Sequence, residues 1–342
     1  MDATDTTGRN TMRAIEIREF GDPQVLHMRY APVPSPTTGQ VLIEVAAADV
    51  MFLDARLRSG WGTDHFKMPL PYTPGGGVGG TIVEVADDRD RSLSGRRVIS
   101  KTAASGVVGG LPIGGYAEFT LARADVVVPI PDDLAIEDAT ALVHDGRTAL
   151  AAFDTAGVTP GDRVLITGAA GGLGTLLTQL SRNAGAEVIA GVSSAPKAQL
   201  STALGATATV RYDSDSWPER VREVTGADGV DVVFDAVGGS LGAIAAAALR
   251  PGGRFLGYGS ASGTFADIQN ARRDASVTSL RRLTIDASID WQALAHRAVR
   301  MAADGELKVH VGQTFPLADA AAAHTMIESR AGLGRTLLLM AP

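Results

Sequence analysis

From residue 163 onward, short apolar runs alternate with helix-period stretches, and this alternation constrains the fold more than any other feature. "RVLITG" leads to a helix over 172–185, "AEVIAGVS" to one over 195–204, and "ATATVRY" to one over 215–225. "VDVVFDAVG" then precedes a helix over 240–249 and the run "GRFLGYG". Near-continuous apolar strands separated by helices require a parallel sheet covered on both faces. "VTSLRRLTI" reads as a further strand, "WQALAHRAVRMAADGELK" as a helix and "ESRAGLGRTLLLM" as a closing strand. Upstream the character is different. Residues 13–130 read as mostly β, with "MRAIEI", "QVLIEVAA", "TIVEVA", "RRVIS" and "AEFTLA" set between Gly and Pro clusters. The Ala-rich stretch "AIEDATALVHDGRTALAAFDTA" (135–156) reads as a helix. A chain of 342 residues exceeds the ~250–300 at which single cores stop growing, so two domains are expected.

Two glycine-rich stretches compete for a nucleotide. Gly75–Gly80, in "PYTPGGGVGG", match G-x-G-x-x-G letter for letter. Pro71 and Pro74 precede them, however, and the strand-like "TIVEVADD" follows. A pyrophosphate site needs a strand before it and a helix N-terminus after it, so a glycine turn between strands is expected there. The second stretch, Gly168-Ala169-Ala170-Gly171-Gly172-Leu173-Gly174, follows the strand Val164–Thr167 and opens an amphipathic helix. Its spacing is G-x-x-G-x-x-G, but its context is the required one. Gly168, Ala170, Gly171, Gly172 and Leu173 are the candidate pyrophosphate contacts.

The next strand end selects the nucleotide. An NAD site places an acid there for the ribose 2′-OH, yet no Asp or Glu occurs from Val188 to Arg211. Ser193, Ser194 and Lys197 offer hydroxyls and a cation instead, which suits a 2′-phosphate and hence NADPH. The alternative for Lys197 is a solvated lysine on a helix face.

Other classes are excluded by what is missing. There is no cysteine, which removes disulfides, thiolate nucleophiles and Cys-containing zinc sites. The six histidines show no metal-ligand spacing, so no metal is expected. A net charge of −7 without a basic cluster argues against nucleic acid. Residues 1–12 lack an apolar stretch and read as a disordered tail, not a signal peptide. No apolar run approaches the ~20 residues that span a bilayer, and a cytoplasmic protein without membrane association is expected.

"MRAIEIREFGDPQVL", "FLDARLRSG", "GGYAEF", "VLITGAAGGLG", "VVFDAVGG" and "GGRFLGYGSASG" together resemble the medium-chain dehydrogenase/reductase superfamily, in its zinc-independent quinone oxidoreductase (zeta-crystallin-like) branch. The resemblance implies an α/β chain: a GroES-like β-barrel substrate domain (13–134 and 283–342) plus a Rossmann doubly wound parallel-sheet domain for NADPH (135–282). It also implies homodimers joined through Rossmann edge strands. Matched position by position, Lys197, Tyr212 and Arg330 resemble the family's residues around the 2′-phosphate. Thr148 falls where a Thr contacts the nicotinamide side. Ala236 and Val237 in "VVFDAVGG" are further candidate cofactor contacts, and Gly257, Tyr258, Gly259 and Ser260 in "GYGSAS" match the loop lining the nicotinamide pocket. Met51 stands where the family often has Asn, and Trp61 replaces a Tyr. Zinc enzymes of the superfamily carry "PGHExxG" at 74–80, where this chain has Gly76 and Gly77.

Without metal ligands, the expected chemistry is hydride transfer to an acceptor that is already electrophilic: a quinone, or the C=C of an α,β-unsaturated carbonyl. Thr148 is the candidate positioning residue. His144, next to Asp145, is a candidate proton donor or a packing residue. Tyr72 and Tyr258 are further phenolic candidates, Tyr116 reads as structural, and Phe52 and Trp61 could line the substrate site. The alternative function is an NADPH-binding sensor or scaffold with little turnover.

Overall fold

The computed structural model describes residues 11–63, 69–102, 114–213, 216–226, 228–268 and 274–340. The chain divides into two compact units. One comprises Met1–His144, Ala295–Asp304 and His310–Pro342, the other Asp145–Leu294 and Gly305–Val309.

The first unit begins with β1 (Thr11–Glu16) and β2 (His27–Pro32), an antiparallel pair. β3 (Gln40–Val50), α1 (Phe52–Arg58), β4 (Gly77–Val85), β5 (Arg97–Lys101), β6 (Phe119–Arg123), β7 (Val128–Pro129) and the first turns of α2 (Ile136–Ala156) follow. Residues 1–10 of the expected tail lie outside the described residues. Thr11 and Met12 are already strand, because Met12 and Ala14 point to the same buried side of β1.

In the second unit, β8 (Arg163–Thr167), α3 (Gly172–Asn183), β9 (Glu187–Val192), α4 (Ala195–Ala203) and β10 (Ala208–Arg211) are followed by α5 (Trp217–Thr225), β11 (Val230–Asp235) and α6 (Gly239–Ala247). β12 (Leu249–Gly257), β13 (Ser276–Ser279) and α7 (Leu280–Ile285) complete it. The chain then returns to the first unit through α8 (Trp291–Ala303), β14 (Val311–Pro316), α9 (Ala320–Ser329) and β15 (Arg335–Leu339).

The six strands of the second unit run parallel in the order β10-β9-β8-β11-β12-β13. Counted from β8 this is 3-2-1-4-5-6, with the direction of winding reversing between β8 and β11. Central β11 is buried along its whole length, as a strand covered on both faces must be. Leu165, Ile189, Val233 and Trp217 belong to its core. "VTSLRRLTI" is only half strand. It ends at Ser279, whose Oγ accepts the Arg282 N–H at 3.4 Å, and Leu280–Ile285 turn into a helix that buries Leu283.

The sheet of the first unit runs β14-β15-β3-β4-β5-β7, with β6 also paired to β3. Only β14–β15 is parallel among these pairs. Two helices, α1 and α9, fall where no helix was expected. α1 is a seven-residue turn after Met51, too short for a periodic signal, and α9 is an Ala stretch that buries Ala320, Ala323 and His324.

The glycine run 75–80 differs from the expected turn as well. Gly77–Gly80 are the first residues of β4, and all four are buried. A Cβ on Gly79 would lie 2.0 Å from Thr140 Oγ1 on α2, and one on Gly80 would lie 2.1 Å from the Glu44 carbonyl oxygen. The glycines let a helix and a neighbouring strand press directly on this backbone. At Gly80 the obstacle is backbone and cannot rotate away. Gly80→Ala should cost about 1–3 kcal/mol through overpacking, read as a lower Tm; an unchanged Tm would contradict the packing.

Candidate functional site

The glycine turn of the second unit is built for close approach. Gly168 leaves β8 with φ +65°, and the Gly171 N–H returns to the Gly168 carbonyl at 3.0 Å. α3 starts at Gly172 with no side chain capping it. A Cβ on Gly174 would sit 2.4 Å from the Gly168 oxygen, so only glycine lets the helix begin here. Gly171 is exposed, and Gly172 and Leu173 are half-buried. The first N–H groups of a helix lack partners within it, and with the helix dipole they form an anion site.

Across the switch point, Asp235 ends β11 as a hub. Its carboxylate accepts from Thr167 Oγ1 at 2.5 Å and from the Val237 and Gly238 N–H groups at 3.1 Å. The Ala236 N–H donates to Thr167 Oγ1 at 3.1 Å. The Asp235 carbonyl accepts from Tyr258 and Gly259 N–H at 2.8 and 3.2 Å. Burial raises the Asp235 pKa against these hydrogen bonds. Asp235 therefore ties Thr167, the turn at Val237 and Gly238, and the turn at Tyr258 and Gly259 to the same strand end. Asp235 was not singled out from the sequence; its signal was an acid closing the apolar run "VVF". The Tyr258 hydroxyl is buried without a partner among the described residues. Burial, then Asp235 and Asp145, hold its proton well above the ordinary range.

The end of β9 brings together four of the expected phosphate residues. Lys197 Nζ donates to Ser193 Oγ at 2.9 Å, Ser194 is the N-cap residue of α4, and the Tyr212 N–H donates to the Val192 carbonyl at 3.0 Å. The Tyr212 ring packs edge-on against Trp217. Arg330 belongs to the other unit, as the exposed left-handed residue (φ +56°) that ends α9. Thr148 is half-buried on α2. Close-approach glycines, an uncapped helix start, a cation–hydroxyl pair and an orphaned phenol together fit a phosphorylated dinucleotide.

In the first unit, Asp49 on β3 is fully buried. Arg335 on β15 grips both its oxygens, through Nε on Oδ1 and Nη2 on Oδ2 at 2.6 Å. His144 Nδ1 lies 2.9 Å from Oδ2. Burial pushes the Asp49 carboxyl up, but the Arg335 charge and the hydrogen bonds from His144 and Arg335 outweigh it and hold the group below its ordinary range. An ionised carboxylate only accepts, so Nδ1 of His144 carries the hydrogen. The imidazole rests against Gly77, where a Cβ would lie 2.9 Å from Cε1 and 3.0 Å from Nδ1. Asp49 was also missed. Its signal was the second of two acids in "VLIEVAAADV", close to the end of the run.

A second buried cluster surrounds α1. Asp54 Oδ2 accepts the Met51 N–H at 2.9 Å and the Tyr116 hydroxyl at 3.2 Å, and that hydroxyl lies 3.1 Å from His324 Nε2. Burial drives the Asp54 pKa up to about 7 and, with Arg58, drives His324 down to about 3. Tyr72 is 5% exposed, its hydroxyl has no partner among the described residues, and burial and Asp54 raise its pKa. It holds its proton too firmly to be an effective acid. Phe52 opens α1 half-buried, and exposed Trp61 carries the Arg56 guanidinium 5.1 Å from its ring centre. Among the described residues no three His, Cys, Asp or Glu side chains are grouped to hold a metal ion, and no helix is long and apolar enough to cross a membrane.

Asp54 generates a pH prediction. Its folded pKa is raised, so the native state keeps a proton that the unfolded chain releases, and stability declines from about pH 4 to about pH 7. Asp54→Asn, which retains an acceptor for the Met51 N–H, removes this loss. Its Tm relative to the parent should be higher at pH 8 than at pH 5. A difference in Tm that does not change with pH would refute the assignment.

Residues 37–132 match the family described as alcohol dehydrogenase GroES-like domain, and residues 204–338 the one described as zinc-binding dehydrogenase. A 2-haloacrylate reductase of Burkholderia sp is 33% identical, over 95% of this chain and 98% of that protein. A quinone oxidoreductase of Rattus norvegicus is 32% identical, over 98% and 99%. A mycobacterial protein solved in complex with NADPH superposes with a TM-score of 0.84 at 32% identity, covering 96% of this chain and 99% of that one. The first unit thus contains a GroES-like domain and the second a Rossmann-type sheet. The chain belongs to the medium-chain dehydrogenase/reductase superfamily, in its zinc-independent quinone oxidoreductase branch.

Proposed function

We propose that this chain is an NADPH-dependent reductase of quinones or of the C=C of α,β-unsaturated carbonyls, working without zinc. The observation that carries the cofactor is the end of β9, where Lys197 and Ser193 form a cation–hydroxyl pair at 2.9 Å in place of a ribose-binding acid. The mycobacterial neighbour's bound NADPH and the names of the two relatives support the same reading. Gly168, Ala170, Gly171, Gly172 and Leu173 would hold the pyrophosphate at the start of α3. Ser193, Ser194, Lys197, Tyr212 and Arg330 would hold the 2′-phosphate. Ala236, Val237, Gly257, Tyr258, Gly259, Ser260 and Thr148 would border the nicotinamide, with Thr148 positioning it. Bound NADPH supplies the hydride.

The acceptor class follows from the missing Lewis acid. Gly76 and Gly77 carry no ligand atoms and the chain has no cysteine, so an unactivated ketone would lack its usual means of stabilising an alkoxide. A quinone or enone spreads the incoming charge onto its own oxygen, and the protein need only orient it and exclude water. A cytoplasmic location belongs to the same reading. So does a homodimer formed through the edge strand β13, where Val277 and, on the adjoining α7, Ile285 are exposed.

The purified protein should oxidise NADPH with quinones or enones, and more efficiently than NADH. Lys197→Ala should weaken NADPH binding about tenfold or more, the scale of a lost hydrogen bond to a charged group, while leaving NADH nearly unaffected. Tight NADPH binding with no turnover on any acceptor would return the chain to the sensor or scaffold alternative. Equal loss for both nucleotides would refute the phosphate role. For the dimer, Val277→Asp should shift the mass seen by light scattering from two chains to one; a parent protein of single-chain mass would overturn it.

A further inference from the structure

The first unit holds two oppositely charged side chains that do not satisfy each other. Asp54 and Arg58 stand one turn apart on one face of α1, and each is 1% exposed. Arg58 Nη2 donates to Glu328 Oε1 on α9. Its Nε and Nη1, and the Oδ1 of Asp54, have no hydrogen-bond partner among the described residues.

Two more orphaned atoms belong to the same cluster, the Tyr72 hydroxyl and Nδ1 of His324. Both residues are buried. The Tyr116 hydroxyl links the parts, lying 3.2 Å from Asp54 Oδ2 and 3.1 Å from His324 Nε2. His324 and Glu328 are themselves one turn apart on α9. The charges of Asp54 and Arg58 both act on the Tyr72 phenol, and that of Arg58 acts on His324. Five unpartnered polar atoms, from α1, α9 and the segment before β4, therefore converge on one buried place. Buried polar groups in folded proteins are hydrogen-bonded, and a group of orphans marks a site for a small polar ligand.

We propose that α1, α9 and Tyr72 enclose a water-binding site, in which resident water bridges Arg58 to Asp54 Oδ1 and bonds to Tyr72 and His324. All of these residues lie within the first unit, and the site is independent of the cofactor assignment.

The hydrogens identify the ligand. Asp54 Oδ2 accepts from the Met51 N–H and from the Tyr116 hydroxyl. That hydroxyl has a single hydrogen, so its oxygen accepts from Nε2–H of His324. Burial and Arg58 keep His324 neutral, which leaves Nδ1 as a bare acceptor. The orphans are then three donors, Arg58 Nε–H, Arg58 Nη1–H and Tyr72 O–H, facing two acceptors, Asp54 Oδ1 and His324 Nδ1. A halide or a carboxylate only accepts and would leave both acceptors bare. A metal cation would satisfy none of the donors and would meet the Arg58 charge. Water both accepts and donates, and it can reorient. Asp54 Oδ1 requires that freedom: Oδ2 is engaged twice, so a proton gained by this raised carboxyl goes to Oδ1 and turns it from acceptor to donor.

Tyr72→Phe tests the site by the sign of its effect. Removing a buried hydroxyl that has no partner relieves a desolvation cost and raises Tm, whereas removing one bonded to resident water lowers it. The site predicts a lower Tm for the purified variant than for the parent; an equal or higher Tm would overturn it. A crystal structure of the parent should show ordered water within about 3.2 Å of both Arg58 and Asp54 Oδ1. In crystals of Tyr72→Phe, that bridge should persist without its tyrosine bond. Three crystallographic outcomes would overturn the proposal whatever the Tm: no ordered solvent at this place, a direct Arg58–Asp54 bond, or a halide revealed by its anomalous signal after a bromide soak.

Discussion

The buried carboxylate of Asp49 imposes the organisation of the first unit. A charge in the middle of a strand core is tolerated only when it is paired and hydrogen-bonded. Its partner, Arg335, lies 286 residues further along the chain. The sheet containing β3 is therefore not electrostatically complete until the chain has built the parallel sheet and come back as β15. That pairing gives a physical reason why one compact unit is assembled from segments at both ends of the sequence. It also converts Asp49 from a liability into a rigid acceptor that holds the His144 imidazole.

The second unit uses a buried acid in a different way. Asp235 has no cationic partner among its contacts; a hydroxyl and two backbone N–H groups satisfy it. Because those donors come from Thr167 at the end of β8 and from the turn after β11, the acid spans the point where the winding of the sheet reverses. The glycine turn, the 236–237 turn and the 257–260 turn are held relative to one another by backbone hydrogen bonds and a single carboxylate. A nucleotide site made of main-chain groups needs that rigidity more than it needs particular side chains.

These two acids also mark where the sequence stopped being legible. The parallel sheet could be read because apolar strands and helices alternate at regular spacing, and the turn at Gly168 could be read because its glycines sit between a strand and a helix. Lys197 and Ser193 were visible as a local substitution for an absent acid. Asp49 and Asp235 were not visible, since an acid in an apolar run looks the same whether it is capped, paired or at a strand end. α1 and α9 escaped because seven residues and an alanine tract carry little periodicity. "VTSLRRLTI" was misread from Ser279 onward because a β-branched, apolar stretch serves an edge strand and a short capped helix equally well.

Gly75–Gly80 show most clearly how an absence of side chains acquires meaning only in three dimensions. As letters, these glycines suggest a phosphate loop or a flexible turn. As β4 they are a flat, buried surface on which α2 lies, with Thr140 over Gly79 and Val143 and His144 over Gly77. A side chain at 77 would expel the imidazole from its place beside Asp49. The glycine where zinc enzymes of the superfamily carry a metal-site side chain thus has a positive role here: it gives the ring of His144 its room. Loss of one functional group at this position and accommodation of another are the same structural fact.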